Sequence, residues 1–169
     1  MSENAKHRDE IYIPSVLTRL IAEEDIPLRK LSDFENLKKE ILENISLLLN
    51  SRSRPEQWDL DNDPYLYYSV LGFGVKDFCG RNHGENSLNE ITENIRQQLI
   101  HFEPRLAPES VEIFTDPEQD MSHNEVEIII RARISVRPFD GELKCIFALD
   151  LETGTPKLKE EVTIQNGSI

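Results

Sequence analysis

At 169 residues the chain is long enough for one domain with a core of its own and a tail at either end. Asp and Glu number 32 against 19 Lys and Arg, and the net charge of −13 repels phosphate backbones and anionic lipid, with no Lys/Arg-rich run to offset it. Nucleic-acid binding and direct membrane insertion are therefore not expected.

Hydrophobic residues make up 38% and charged residues 30%, which suits a soluble protein with an ordinary core. The longest apolar runs are far short of the roughly 20 residues that span a bilayer, and the first ten residues carry neither an apolar h-region nor a small-residue cleavage site. A cytoplasmic location is the expectation. Cys79 and Cys145 lie far apart without CxxC or Cys/His spacing, and His7, His101 and His123 are scattered, so reduced thiols and no metal or cofactor site are expected.

In chain order, residues 1–30 read as an N-terminal extension, 31–164 as the main α+β domain and 165–169 as a frayed tail. Within the extension, Val16, Leu17, Leu20 and Ile21 share one face of a short helix begun near Pro14 or Ser15, a stripe that either packs on the body or anchors in a partner groove. The first strong helix is predicted over Leu31 to Asn50, with Ser32 and Glu35 as a capping box and Phe34, Leu37, Ile41, Ile45 and Leu48 on one face, widened by Leu42 and Leu49. Arg52 is placed to favour the last carbonyls and Pro55 stops the helix. A polar, irregular connection follows, in which Trp58 is a lid over the core edge or an interface anchor. Gly72 and Gly74 mark a turn that needs positive φ or close backbone approach, and they match neither the Walker nor the dinucleotide glycine pattern.

The second strong helix starts at Ser87, where Ser87 and Glu90 form a capping box. Leu88, Ile91, Ile95, Leu99 and Phe102 face the core, while Asn89, Glu93, Asn94, Arg96 and Gln97 face solvent. Pro104 ends it near His101 or Phe102. Glu103 and Arg105 flank that proline on the same side of an extended elbow, where the Arg fork pairs with a carboxylate or carbonyl groups: a surface ion pair at a helix stop, or a latch for a partner.

Beyond the elbow the period changes to two. Val111 and Ile113 begin a short strand; Val126 to Val136 alternates as a long one; Arg137 to Gly141 supplies a turn; Leu143, Cys145, Phe147, Leu149 and Leu151 answer as the antiparallel partner, with Cys145 in the core. After a turn at Glu152 to Pro156, Leu158 to Ile164 reads as a weaker edge strand. The fold class is α+β, two amphipathic helices packed on a mostly antiparallel C-terminal β-meander of three to four strands.

Four motifs in order resemble one family, the TssE subunits of type VI secretion baseplates and the related wedge proteins of contractile phage tails, formerly labelled lysozyme-like. PSVLTRL near the start is similar to the family's Pro-Ser-Leu-Leu-Asp-Arg-Leu, and LLNSR at 48–52 to its Leu-Leu-Asn-Thr-Arg. SVLGFGVKDFCG at 69–80 resembles Ser-Val-Leu-Asn-Tyr-Gly-Leu-Pro-Asp-Phe-Ser-Gly, and Glu103-Pro104-Arg105 stands where the family keeps that triplet. Gly72, Lys76 and Cys79 depart from its Asn, Pro and Ser. The resemblance spans roughly residues 11–160.

It implies a non-enzymatic wedge component that binds the baseplate proteins TssF, TssG and TssK and presents its sheet to the sheath proteins TssB/TssC. Glu103, Pro104 and Arg105, with Val16, Leu17 and Leu20, would bind partners, and Gly72, Gly74 and Asp77 would shape a structural loop. An adaptor that binds through the Val16 to Ile21 stripe or Trp58 without dependence on Glu103 or Arg105, and a glycoside hydrolase, are the rival classes. Hydrolysis needs two carboxyl groups across a cleft, and Glu103, flanked by Phe102 and Pro104, is the best acid, although Arg105 favours its charged form. Cys79 with His83 lacks the orienting third group of a nucleophilic site.

Overall fold

The computed structural model describes residues 33–54, 57–76, 85–115, 125–150 and 152–165. Expectations for the Val16, Leu17 and Leu20 stripe and for Asp77, Cys79 and His83 fall outside them. In the described residues the α+β expectation is met by two long helices on a four-stranded antiparallel sheet.

The first helix, α1, spans Phe34–Asn50 and buries all seven residues of its expected apolar face. It starts three residues later than expected, and its cap is Asp33, whose Oδ1 accepts from Asn36 N at 2.8 Å, rather than Ser32. Ser and Asp are near-equivalent caps, so local chemistry leaves the choice open. Packing decides it, because Phe34 is buried in the first turn against Phe139, ring centroids 5.7 Å apart. At the other end Arg52 Nη1 reaches Leu49 O at 3.3 Å as expected, and Nη2 donates to Gly154 O at 2.7 Å, tying the helix end to the turn between the last two strands.

The connection read as irregular contains a short helix, α2 (Gln57–Asn62), then 3₁₀ turns at Pro64–Tyr68 and Val70–Gly72. Elements this short show no period, so the pattern is silent about them. The second long helix, α3, spans Glu85–Phe102 and starts two residues before the expected cap Ser87. It ends where Pro104 requires. Ile91, Ile95 and Leu99 are buried as expected, but Asn94, assigned to the solvent face, is buried too, as is Gln98. Both amides have backbone donors to satisfy.

The strands are β1 (Glu112–Thr115), β2 (Glu125–Val136), β3 (Phe139–Asp150) and β4 (Pro156–Gln165), in that spatial order. The β2–β3 turn is tighter than expected: Val136 pairs with Phe139, and Asp140 and Gly141 belong to the ladder rather than the turn. Val126, Ile128, Ile130, Ala132 and Ile134 of β2 and Leu143, Cys145, Phe147 and Leu149 of β3 face the helices. The weaker edge strand is present and slightly longer than expected. α1 packs over the β4 side and α3 over the β1 side of one sheet face.

Cys145 is fully buried in this layer, and burial pushes its thiol up from 9.0 to about 12. Between those values the unfolded chain has released the proton and the folded chain has not, so the unfolded state binds fewer protons. Stability should therefore fall as pH rises through this window, by up to about 1.4 kcal/mol per pH unit, and should be unaffected by this group below it. Urea denaturation of wild type and Cys145→Ala checks this: the difference between their midpoints should drift in the variant's favour as pH rises above 9.0. A constant difference would refute the buried thiol as its source.

Candidate functional site

The elbow after α3 is held from both sides. Along the chain, Leu106 N donates to Glu103 O at 3.1 Å, and the segment then joins the edge of β2, with Ser135 N to Arg105 O at 3.0 Å and Ala107 N to Arg133 O at 2.9 Å. Backbone pairing with the sheet thus sets where the Glu103 and Arg105 side chains stand.

Those side chains meet. Arg105 Nε donates to Glu103 Oε1 at 2.6 Å and Nη2 to Oε2 at 2.7 Å, a two-point guanidinium–carboxylate pair. Nη1 continues to Glu40 Oε2 at 3.1 Å, and Asn44 Nδ2 donates to Glu103 Oε2 at 3.1 Å. Glu40 and Asn44 are four apart on α1 and so share a face. The elbow is therefore clamped to the first helix as well as to the sheet.

Glu103 is 2% exposed, Glu40 8%, and the Arg105 side chain 18%. The expected pairing within the triplet is present, but it is not a surface ion pair. Both Glu103 oxygens are engaged and withdrawn from solvent, so this carboxyl is not presented to a sugar. Pro104, between the two, is exposed.

The glycine segment lies along the same seam. Val75 N donates to Ser51 O and Ser53 N to Val75 O, both at 3.0 Å, joining it to the end of α1. From α3, Gln98 Oε1 accepts from Gly74 N at 3.2 Å and Asn94 Oδ1 from Lys76 N at 3.0 Å. Phe73 packs edge-on to Phe102, centroids 5.3 Å apart, one residue before Glu103. Gly74 has φ +112°, and a Cβ on Gly72 would run into the Tyr67 carbonyl, so one glycine supplies positive φ and the other close approach. Thus the motifs at 48–52, 69–76 and 103–105, distant in sequence, meet where α1 and α3 lie against each other.

The match to known proteins agrees with this convergence. The family model described as baseplate wedge protein gp25 matches residues 35–138, more than half of the chain. The chain belongs to the baseplate wedge protein gp25 family. TssE subunits fall in the same family. No curated protein and no solved structure matches the chain. The gp25 match begins in the first turn of α1 and ends in the β2–β3 turn, so it takes in the whole clamp, Glu40, Asn44, Glu103 and Arg105, while β3 and β4 lie beyond it.

Sequence reasoning missed Glu40, Asn44 and Gln98 and misplaced Asn94. The available signal was the alternation of polar and apolar residues in Glu40-Ile41 and Asn44-Ile45, which puts a polar pair on the flank of the apolar stripe. Among the described residues no three His, Cys, Asp or Glu side chains gather to hold a metal, and no helix is long and apolar enough to cross a membrane.

Proposed function

We propose that this chain is a non-enzymatic component of a type VI secretion baseplate wedge, a contractile-tail-like assembly, which binds neighbouring baseplate subunits and helps to start sheath polymerisation in the cytoplasm. Beside the family membership, the observation that carries this reading is β4. It is a ten-residue strand at the end of the sheet, with no strand beyond it among the described residues and with Leu158 and Val162 partly exposed along it. Such an edge supports strand addition, in which main-chain hydrogen bonds bind and alternate side chains select the partner.

In this reading TssB/TssC sheath strands are the partners of β4, and TssF, TssG and TssK are the wedge neighbours. Pro104 and the exposed rim of Arg105 contact a neighbour, Glu103 positions Arg105, and Val16, Leu17 and Leu20 supply a second anchor. Gly72, Gly74 and Asp77 shape a structural loop. No cofactor is needed.

The test is recovery of partners by the tagged protein from its native host, identified by mass spectrometry. Wild type should recover wedge and sheath proteins. Leu158→Lys/Val162→Lys, which places two extra charges on β4, should lose the sheath proteins and keep the wedge proteins. Recovery of neither class by wild type would overturn the reading.

A further inference from the structure

Exposed large hydrophobic side chains are not spread evenly over this molecule. Tyr65 is 81% exposed, Tyr68 57%, Val70 90% and Leu71 52%, and these four fall within seven residues, half of all such side chains among the described residues. A solvated connection would put polar groups there. Exposed apolar side chains clustered in this way mark an interaction site.

The surface is built rather than loose. Tyr65 N donates to Asp63 Oδ1 at 3.1 Å, Leu71 N to Ser69 Oγ at 3.2 Å, and Arg54 N to Leu71 O at 3.1 Å, so both 3₁₀ turns are pinned. The Tyr68 ring rests on His101 with centroids 4.7 Å apart, and His101 Nε2 lies 3.3 Å from Tyr68 O. His101 is two residues from Glu103, which places the surface beside the elbow. An aromatic ring that is packed before binding, as Tyr68 is on His101, loses little freedom on binding, the property of interface hot spots.

Charge selects the occupant. α2 packs against the turn that carries Tyr65 and Tyr68, and α2 with the residue after it bears Asp59, Asp61 and Asp63. Among the described residues of α2 and the two 3₁₀ turns, 57–72, the charged side chains are these aspartates, and Arg54 meets the patch at its Leu71 end. A second copy of a chain carrying −13 is disfavoured. A cationic segment is favoured by the aspartates, and its Lys or Arg groups can lie over the tyrosine faces while its apolar side chains cover Val70 and Leu71.

We propose that Tyr65, Tyr68, Val70 and Leu71 form a docking surface for a cationic amphipathic segment of a neighbouring baseplate subunit. This rests on the wedge reading above and names the chemistry of one of its contacts.

The test places a photo-crosslinking benzoylphenylalanine at position 65 or 70 of the full chain in the assembled apparatus, with position 142, exposed on β3, as control. Positions 65 and 70 should both crosslink to one Lys- or Arg-bearing segment of another baseplate subunit, and position 142 should not. With that subunit purified, Tyr65→Ser/Val70→Ser should weaken binding roughly tenfold or more without lowering Tm. Asp59→Asn/Asp61→Asn should weaken it and flatten its salt dependence.

Crosslinks to residues 1–32 of the same chain, to a second copy or to nothing would overturn the proposal, as would equal binding by the Tyr65→Ser/Val70→Ser variant. If wild type recovers no baseplate subunit at all, the wedge reading fails first, and the two failures are distinguished.

Discussion

Alanine at Glu103 should destabilise the protein by about 3–5 kcal/mol, a fall in Tm of roughly 6–20 °C for a domain of this size. The carboxylate is 2% exposed and accepts from Arg105 Nε, Arg105 Nη2 and Asn44 Nδ2 at 2.6, 2.7 and 3.1 Å. Its removal takes one carboxylate from a largely buried guanidinium and the Glu103 acceptor from an α1 amide. The lower half of the range is expected, because Arg105 keeps Glu40 at 3.1 Å and is 18% exposed, so solvent screens part of the loss.

Arg105→Ala should cost at least as much, because it leaves Glu40 and Glu103, both buried, near each other with their shared cation gone. The double variant should then be less destabilised than the sum of the singles, with a coupling of about 0.5–3 kcal/mol. Thermal and urea denaturation of the cycle measures this. Strict additivity, or an unchanged Tm for Glu103→Ala, would show that the cluster does not clamp the elbow.

This result governs how partner binding is tested. A variant that loses the clamp loses the elbow's position and any contact it makes at the same time. Pro104→Ser, at an exposed position outside the network, and Arg105→Lys, which keeps the charge but not the fork, separate contact from fold.

The same cluster shows what the sequence made legible. Periodicity alone placed α1, α3, β2 and β3, because each buries one face and writes a 3.6- or 2-residue period into eleven or more positions. Gly72 and Gly74 were readable because few positions other than special backbone sites call for glycine in that spacing. What was not legible is pairing at a distance. Glu40 looks like any charged residue on a helix flank, and its burial follows only from Arg105, 65 residues later. Asn94 and Gln98 look like the solvent side of an amphipathic helix, and they are buried because Lys76 N and Gly74 N need acceptors. The shift from Ser32 to Asp33 at the start of α1 is of the same kind, a tie in local chemistry settled by where Phe34 packs.

Gly74→Ala tests whether that glycine segment is what holds the exposed aromatic surface in place. At φ +112° any L residue is strained, and the new Cβ would lie 2.6 Å from both Ser51 C and Ser51 O. Together strain and overlap amount to about 2–6 kcal/mol if the loop stays in place. The obstructing atoms are backbone at the end of α1 and cannot rotate aside. The loop has a cheaper escape. It can lift from Ser51, giving up the Val75 N to Ser51 O and Ser53 N to Val75 O bonds and the Gly74 N bond to Gln98, while the sheet and most of α1 and α3 stay folded.

The expected result is therefore local. Hydrogen exchange should lose protection at Ser53, Gly74 and Val75, and Tm should fall by less than the full strain implies. Gly72→Ala should act similarly from the other side of the loop, since its Cβ would meet the Tyr67 carbonyl and lie 2.8 Å from Leu66 O. If the patch around Tyr65 and Val70 needs its rigid frame, both variants should weaken partner binding while Glu103 and Arg105 stay paired. Unchanged protection at Val75 in Gly74→Ala would mean that the close contact with Ser51 is absorbed elsewhere, and the loop would not be the frame of that surface.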